Sequence, residues 1–273
     1  MLKSGQNSTL ASGAFTFFNL TFHNAVRGVS TGHRNAVLAI VLNIVQTVVM
    51  IGAFFFLMDM LGLRGSAVRG DFLLYIMSGI FVFITHIKSV GAVAGAGSAT
   101  ASMLKHLTMN QPIAVCSAAL SALYNQTISV AAILLVYHLV WKPVEFHDPV
   151  GAVAMFILAW LSGCCVGLVL LGLSPWFPQL TGILKMIYTR ANMFASGKMF
   201  LANTLPAHML VMFDWNPLFH IIDQGRGFIF VNYNPMKSAL MYPIWVSLVL
   251  AVIGIIGISY TAKHVSLSWD AAR

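Results

Sequence analysis

Apolar residues in this chain arrive in blocks of about 20, separated by short polar breaks. The blocks are Ala36–Met60, Phe72–Gly97, Ile113–Val140, Val150–Leu173, Leu180–Phe200 and Ser238–Thr261. Each is long enough to cross a hydrocarbon core of roughly 30 Å as a helix. The breaks are chemically distinct: Gly62, Gly65 and Gly70 after the first block, and Ser174-Pro175-Trp176-Phe177-Pro178 after the fourth. Before the first block, Phe15, Phe18, Phe22, Val26 and Val29 recur at spacings of three and four, interleaved with Thr16, Asn19, His23 and Arg27. That spacing predicts an amphipathic helix lying in the membrane interface, within residues 1–35. Residues 98–111 are too short and polar to span. They are expected to form a surface helix that hands over to a span opening at Pro112. Residues 200–237 hold too little uninterrupted apolar length for an ordinary span, so two half-helices that enter and leave by one face are expected there. The pattern describes one all-α integral membrane domain over residues 1–273. It has six transmembrane helices, an N-terminal interfacial helix and re-entrant gate helices before the last span.

Composition narrows the class further. Of 273 residues, 59% are hydrophobic and 8% charged, and the mean hydropathy is +0.84; soluble domains do not look like this. The formal charge of +8 is scattered rather than striped, which argues against nucleic acid and toward membrane topology, anionic lipid or an acidic substrate. Six spans put both termini on one side. The loop charges do not choose the side, because Lys3, Arg27, Arg34, Lys105, Lys263 and Arg273 balance Arg64, Arg69, Lys142, Lys198, Arg226 and Lys237. The basic pair before the first span favours cytoplasmic termini. Residues Met1–Leu10 lack the features of a cleavable signal, so the first span is expected to serve as one. Cys116, Cys164 and Cys165 fall inside spans, where a disulfide is not expected.

Polarity concentrates between Leu180 and Lys237. Lys185, Arg190 and Lys198 sit in or just after the fifth block; Pro206, Asp214, Trp215, Asn216 and Pro217 form a hinge; His220, Asp223 and Arg226 close it on a short helix. Over Leu180–Phe200, Arg190 would lie roughly 15 Å from either end, and a mid-bilayer charge costs about 2.5–3.5 kcal/mol or more. It is expected to meet a polar partner: an acidic glycan or the phosphate of a lipid anchor along a path, or an ion pair with Asp59 or Asp223. Lys185 and Lys88 read as path residues or as snorkelling lysines. Tyr188, Phe194, Phe200 and Trp215 could offer flat faces to sugar rings, or simply pack and belt the interface. Asp223 and Arg226, three apart on a helix, are expected to form a local salt bridge.

The chain carries no nucleotide loop. Asn192 stands where a P-loop needs its first glycine before Gly197-Lys198, and Met199 where it needs Ser or Thr. The nine histidines show no ligand spacing, so no metal is expected, and no G-x-S-x-G elbow or poised carboxylate pair is present. Any ATP-driven action therefore needs a second polypeptide.

The run Asn216-Pro217-Leu218-Phe219-His220-Ile221-Ile222-Asp223-Gln224-Gly225-Arg226-Gly227 resembles the membrane subunit of type-2 ABC exporters, in particular the polysaccharide export permeases of capsule and O-antigen systems. The order of parts is similar over nearly the whole chain. Glu is common in that family where this chain has Asp223, and an Arg-containing turn often replaces Trp176-Phe177. The resemblance implies a non-catalytic subunit of the bacterial inner membrane that pairs with a second copy of itself. It also implies an ABC ATPase subunit that carries the ATP and Mg, so no cofactor is expected on this chain. Further implied partners are membrane lipid, an acidic or lipid-linked polysaccharide, and periplasmic or outer-membrane export proteins. It assigns residues 98–111, with Lys105 and His106, as the helix that receives the ATPase stroke. Pro206, Asn216, Pro217, His220, Asp223 and Arg226 would belong to gate helices at the outer mouth. Arg190, Lys185, Lys88, Tyr188, Phe194 and Trp215 would line the path. A drug, lipid or teichoic-type polymer is the alternative cargo, and an ion-coupled secondary transporter the alternative class.

Overall fold

The computed structural model describes residues 10–29, 36–62, 71–103 and 111–271. Among them are nine α-helices and no strand: α1 (Leu10–Val29), α2 (Ala36–Met60), α3 (Phe72–Met103), α4 (Gln111–Val140), α5 (Pro149–Leu173), α6 (Pro178–Ala195), α7 (Ala207–Phe213), α8 (Pro217–Ile229) and α9 (Met241–Ala271). Five are long and apolar enough to cross a membrane: α2, α3, α4, α5 and α9.

Several boundaries follow from local chemistry. Asp148 caps α5 by accepting from the N–H groups of Val150 and Gly151, with Pro149 at the first helical position. Asn216 caps α8 the same way, accepting from Leu218 N–H ahead of Pro217. Pro112 lies in the first turn of α4, as its spacing predicted. The proline-rich break after α5 falls where expected.

Two boundaries differ from the sequence reading. The fifth block does not run helical to Phe200: α6 has 18 residues and stops at Ala195, about 27 Å of helix. The stop is Gly197, at φ +72°, with the Phe219 ring 2.5 Å from where a Cβ would stand. A residue with a side chain would be strained there and would also collide. Arg190 therefore lies about 8 Å from the end of its helix, not at mid-span. The second difference is at the far end of α3, which continues unbroken through Ser98–Met103, the start of the expected surface helix. Lys105 and His106 lie outside the described residues.

The bundle is built around α3, whose apolar span is 83% buried against 17% for α2 and for α9. Small residues let α5 lie directly on it. A Cβ on Gly163 would stand 2.4 Å from His86 O, and one on Gly167 2.7 Å from Val93 Cβ; this is the small-xxx-small contact that their spacing suggests. Gly254 and Gly172 play the same part between α5 and α9. Between α2 and α4 an amide cluster replaces small residues: Asn43 donates to Ser129 Oγ at 2.8 Å and accepts from Gln126 at 3.3 Å.

Helix α1 lies along α4. Ser117 and Ser121 of α4 donate to the carbonyls of Thr21 and Ala25. Its apolar stripe faces the other way, with Phe18, Phe22 and Val26 exposed. The expected amphipathic helix is present, with its apolar stripe exposed.

The ends of the bundle are unlike. At one, the start of α3 and the turns after α4, α6 and α8 meet. Lys142 reaches Asp71 at 3.5 Å, and the N–H groups of His147 and Asp148 donate to the carbonyls of Ile229 and Phe228. At the other, Trp176 donates to Thr261, joining the end of α5 to α9.

Gly167→Val should wedge α3 from α5 and lower stability by about 1–3 kcal/mol. Gly182→Ala, with nothing within 4 Å of the added methyl, should leave it unchanged. Thermal unfolding in detergent reads both; equal effects would mean that α5 does not lie against α3. A second expectation concerns Asp71. Burial pushes its carboxyl up, but hydrogen bonds from Tyr137 and Leu73 N–H and the Lys142 charge outweigh this and hold it below the usual carboxylate range. A group lowered on folding stabilises above its unfolded value, and that contribution is lost as pH falls through the folded one. Asp71→Asn should therefore flatten the acid side of the stability–pH curve and leave neutral pH less stable than wild type.

Candidate functional site

The turn and helices from Ser196 to Leu240 form one cap on the end of the bundle where α8 lies. Helix α8 is its keystone: Leu218, Phe219, Ile221 and Ile222 are all at most 1% exposed. Leu218, Ile221 and Ile222 pack into the main core with α3 and α5 residues such as Ile80 and Met155, and Phe219 packs with Ala202 and Leu205. His220, Asp223 and Arg226 are buried too, as is the capping Asn216, and all four hold neighbouring segments.

Asn216 donates to Asn192 Oδ1 at 3.0 Å and to Ala195 O at 2.9 Å, fastening the end of α6. His220 accepts from Ala239 N–H at 3.0 Å through Nδ1. That contact fixes the proton on Nε2, which donates to Asp214 O at 2.7 Å. One imidazole thus ties the end of α7 to the approach to α9. Asp223 accepts from Ala202 N–H, Tyr233 Oη–H and Ser238 Oγ–H. Burial, then the bond to Asp223, pushes the Tyr233 phenol well above its ordinary range.

Arg226 is 1% exposed. Its guanidinium donates to Gly197 O at 2.9 Å, Phe200 O at 2.7 Å and Lys198 O at 2.5 Å, and lies 4.2 Å over the Tyr75 ring of α3. Gly79 makes room for it, since a Cβ there would stand 2.8 Å from Nη2. The local Asp223–Arg226 salt bridge expected from their spacing is not what the polar atoms do. The arginine turns to the carbonyls of the 197–200 turn, while the carboxylate turns to Ala202, Tyr233 and Ser238. The left-handed Gly197 sits in the turn that bunches those carbonyls around one cation.

The residues expected along a path do not come together. Tyr188 faces inward and hydrogen-bonds His86 Nε2 at 2.8 Å, and His86 Nδ1 meets Ser162 Oγ at 2.9 Å, so α6, α3 and α5 are joined through one ring. Lys185 shares that inner side, its Nζ 3.6 Å from where a Cβ of Gly91 would stand. Lys88 donates to Gln46 of α2 at 2.7 Å, on the exposed outside of the bundle. Arg190 and Phe194 lie on the opposite, exposed side of α6, in line with Leu180, Ile183 and Ile187. Neither Asp59 nor Asp223 is joined to Arg190 by an ion pair among the described residues. Trp215 is exposed at the cap surface, donating to Met212 O. Pro206 is the residue just before α7.

Three contributors were given no site role from sequence. Lys198 is 3% exposed with no hydrogen-bond partner for Nζ. It sits 3.5 Å over the Phe83 ring and 4.6 Å over Phe54, a cation–π cage linking the turn to α3 and α2. His86 and Asn192 carry the links to α6. A histidine and an asparagine inside apolar blocks were the available signals, since buried polar groups require partners.

Arg226→Leu should strand the carbonyls of Gly197, Lys198 and Phe200 and cost about 3 kcal/mol or more; Arg226→Lys, a point charge in place of a fork, should recover only part. Thermal unfolding in detergent measures both, and a neutral Arg226→Leu would show that the turn holds without the guanidinium.

No family model matches the chain. It is similar to two curated relatives, both polysialic acid transport proteins KpsM of Escherichia coli: 26% identical over 138 residues, 49% of this chain and 53% of the relative, for one, and 25% identical over 138 residues with the same shares for the other. The chain spans about half the length of the curated relatives it matches. The resemblance to the polysaccharide export permeases of type-2 ABC transporters, read from Asn216–Gly227, is thus supported by these relatives.

Proposed function

We propose that the chain is the membrane-spanning, non-catalytic subunit of an ATP-driven exporter that moves a surface polysaccharide out of the bacterial cytoplasm. The observation that carries this is the similarity to the KpsM polysialic acid transport proteins; the helical bundle with its five long apolar helices agrees with it. Because the sequence has no nucleotide loop, energy comes from an ABC ATPase subunit that docks at the end where α3 gives way to α4, over residues 98–111. The cap built on α8 then faces the outside, and both termini face the cytoplasm.

A second copy completes the conduit. The exposed side of α6 supports this, because Arg190 stands in a row with Leu180, Ile183, Ile187 and Phe194. A guanidinium on such a face is poorly matched to lipid and well matched to a wet passage carrying an acidic polymer or a lipid-linked phosphate.

Affinity purification of the native complex from membranes should recover a P-loop ATPase, and deletion of the gene should remove surface glycan. Transport by the purified chain in proteoliposomes without any nucleotide-hydrolysing partner would overturn the reading. Arg190→Ala should lower export several-fold while leaving insertion intact; unchanged surface glycan would take Arg190 out of the passage. Charge reversal at Lys105 should uncouple ATP hydrolysis from export, and normal coupling would move the docking site elsewhere.

A further inference from the structure

A cavity of about 410 Å³ lies in the cap, between the turn that precedes α5 and the turn that follows α8. The Asn216–Gly227 motif does not account for it, and neither does any reading of α6. Its lining mixes the rings of Phe228, Tyr233 and Pro235 with the polar side chains of His147, Asp148, Gln224 and Asn234. That volume falls in the range of small-molecule sites, roughly 300–1,000 Å³.

The lining is held in place by the fold. Asp148 N–H donates to Phe228 O at 2.7 Å, locking the two turns together. Asp148 Oδ1 is occupied by the cap of α5. The Gln224 amide nitrogen is held by Ser238 O at 2.8 Å and Ser238 Oγ at 3.0 Å, and Tyr233 is fixed to Asp223. Two glycines bring the walls close. A Cβ on Gly227 would stand 2.7 Å from Pro235 Cδ, and one on Gly151 would strike the Phe228 ring.

What the fixed bonds leave over defines the ligand. Asp148 Oδ2 and Gln224 Oε1 have no hydrogen-bond partner among the described residues, and both only accept when the carboxylate is ionised. The side chains of His147 and Asn234 have none either, and both residues are exposed at the rim. The lining contains one carboxylate and neither lysine nor arginine. Such a site asks for hydroxyl donors and for a flat C–H face to lie on the rings, and it disfavours a second carboxylate.

We propose that this cavity is a saccharide subsite on the outer cap that takes an uncharged pyranose unit through its hydroxyl groups. The proposal rests on the export reading above and adds a selectivity to it: the unit seated here is neutral even where the polymer as a whole is acidic. Preorganised side chains make the contact specific without demanding a large ordering cost.

The test uses the full chain in lipid nanodiscs, with maltohexaose as the neutral probe and a sialic acid hexamer as the charged one, read by saturation-transfer difference NMR. Maltohexaose should show saturable contact at concentrations of order millimolar. The double variant His147→Ala with Asn234→Ala touches no side-chain bond of the fold and should weaken that contact about ten-fold. Asp148→Asn keeps a residue that caps helices and should raise binding of the sialic acid hexamer toward that of maltohexaose. Absence of maltohexaose contact, equal contact in the double variant, or tighter binding of the charged hexamer to wild type would each overturn the subsite. The two readings fail separately. Surface glycan lost on deletion, with no saccharide contact, removes the subsite and keeps export; saccharide contact by a chain that recruits no ATPase does the reverse.

Discussion

The rest of the cap depends on one buried cation whose two terminal nitrogens are bonded to main chain. Arg226 is sealed from solvent with no carboxylate bonded to it among the described residues, and the carbonyls of Gly197, Lys198 and Phe200 supply what a carboxylate would have given. Only a turn that has left the helix can present adjacent carbonyls to one point, so α6 has to stop where it does. Irregular backbone within an apolar bundle is tolerated when its polar groups are answered by protein; here the guanidinium answers the carbonyls and Asp223 answers Ala202 N–H. Gly197, Gly79 and the Tyr75 ring are consequences of that arrangement, since each supplies the conformation, the space or the flat surface it requires.

This changes what the polar motif does. Read as a string, Asn216, His220, Asp223 and Arg226 look like groups waiting for a ligand or a partner charge. In the fold they are four fasteners, directed respectively at the end of α6, the links flanking α7 and α9, the turn before α9, and the turn after α6. A motif of this kind resists substitution because every member is committed to main chain, and a cap so fastened can move as a unit. The caged Lys198 ammonium carries that connection to α2 and α3 without a directional bond.

Much of the architecture was legible because membrane helices announce themselves by length and composition. The spans matching α2, α3, α4 and α5, and the proline that opens α4, could be read from the chain. The site was less legible. Helical spacing placed Asp223 beside Arg226 and suggested a bond, yet spacing says nothing of carbonyls from a turn more than twenty residues away. The end of α6 was misjudged because hydropathy carries on through Met199 and Phe200, whereas a single glycine in a left-handed conformation decides it. Tyr188 and Arg190, two positions apart, were assigned to one path; on a helix that separation turns them to opposite sides, and the partner that settles which side is inward is His86, 102 residues away in sequence.

The account is tested most directly by hydrogen exchange of the intact chain in nanodiscs, followed amide by amide from Ser196 to Leu240. If the α8 fasteners hold the cap, the N–H groups of Ala202 and Ala239, bonded to Asp223 and His220, exchange as slowly as those of the buried half of α8. If they exchange at the rate of an open loop while α8 stays protected, the cap is not fastened as described and the role given to the motif is wrong.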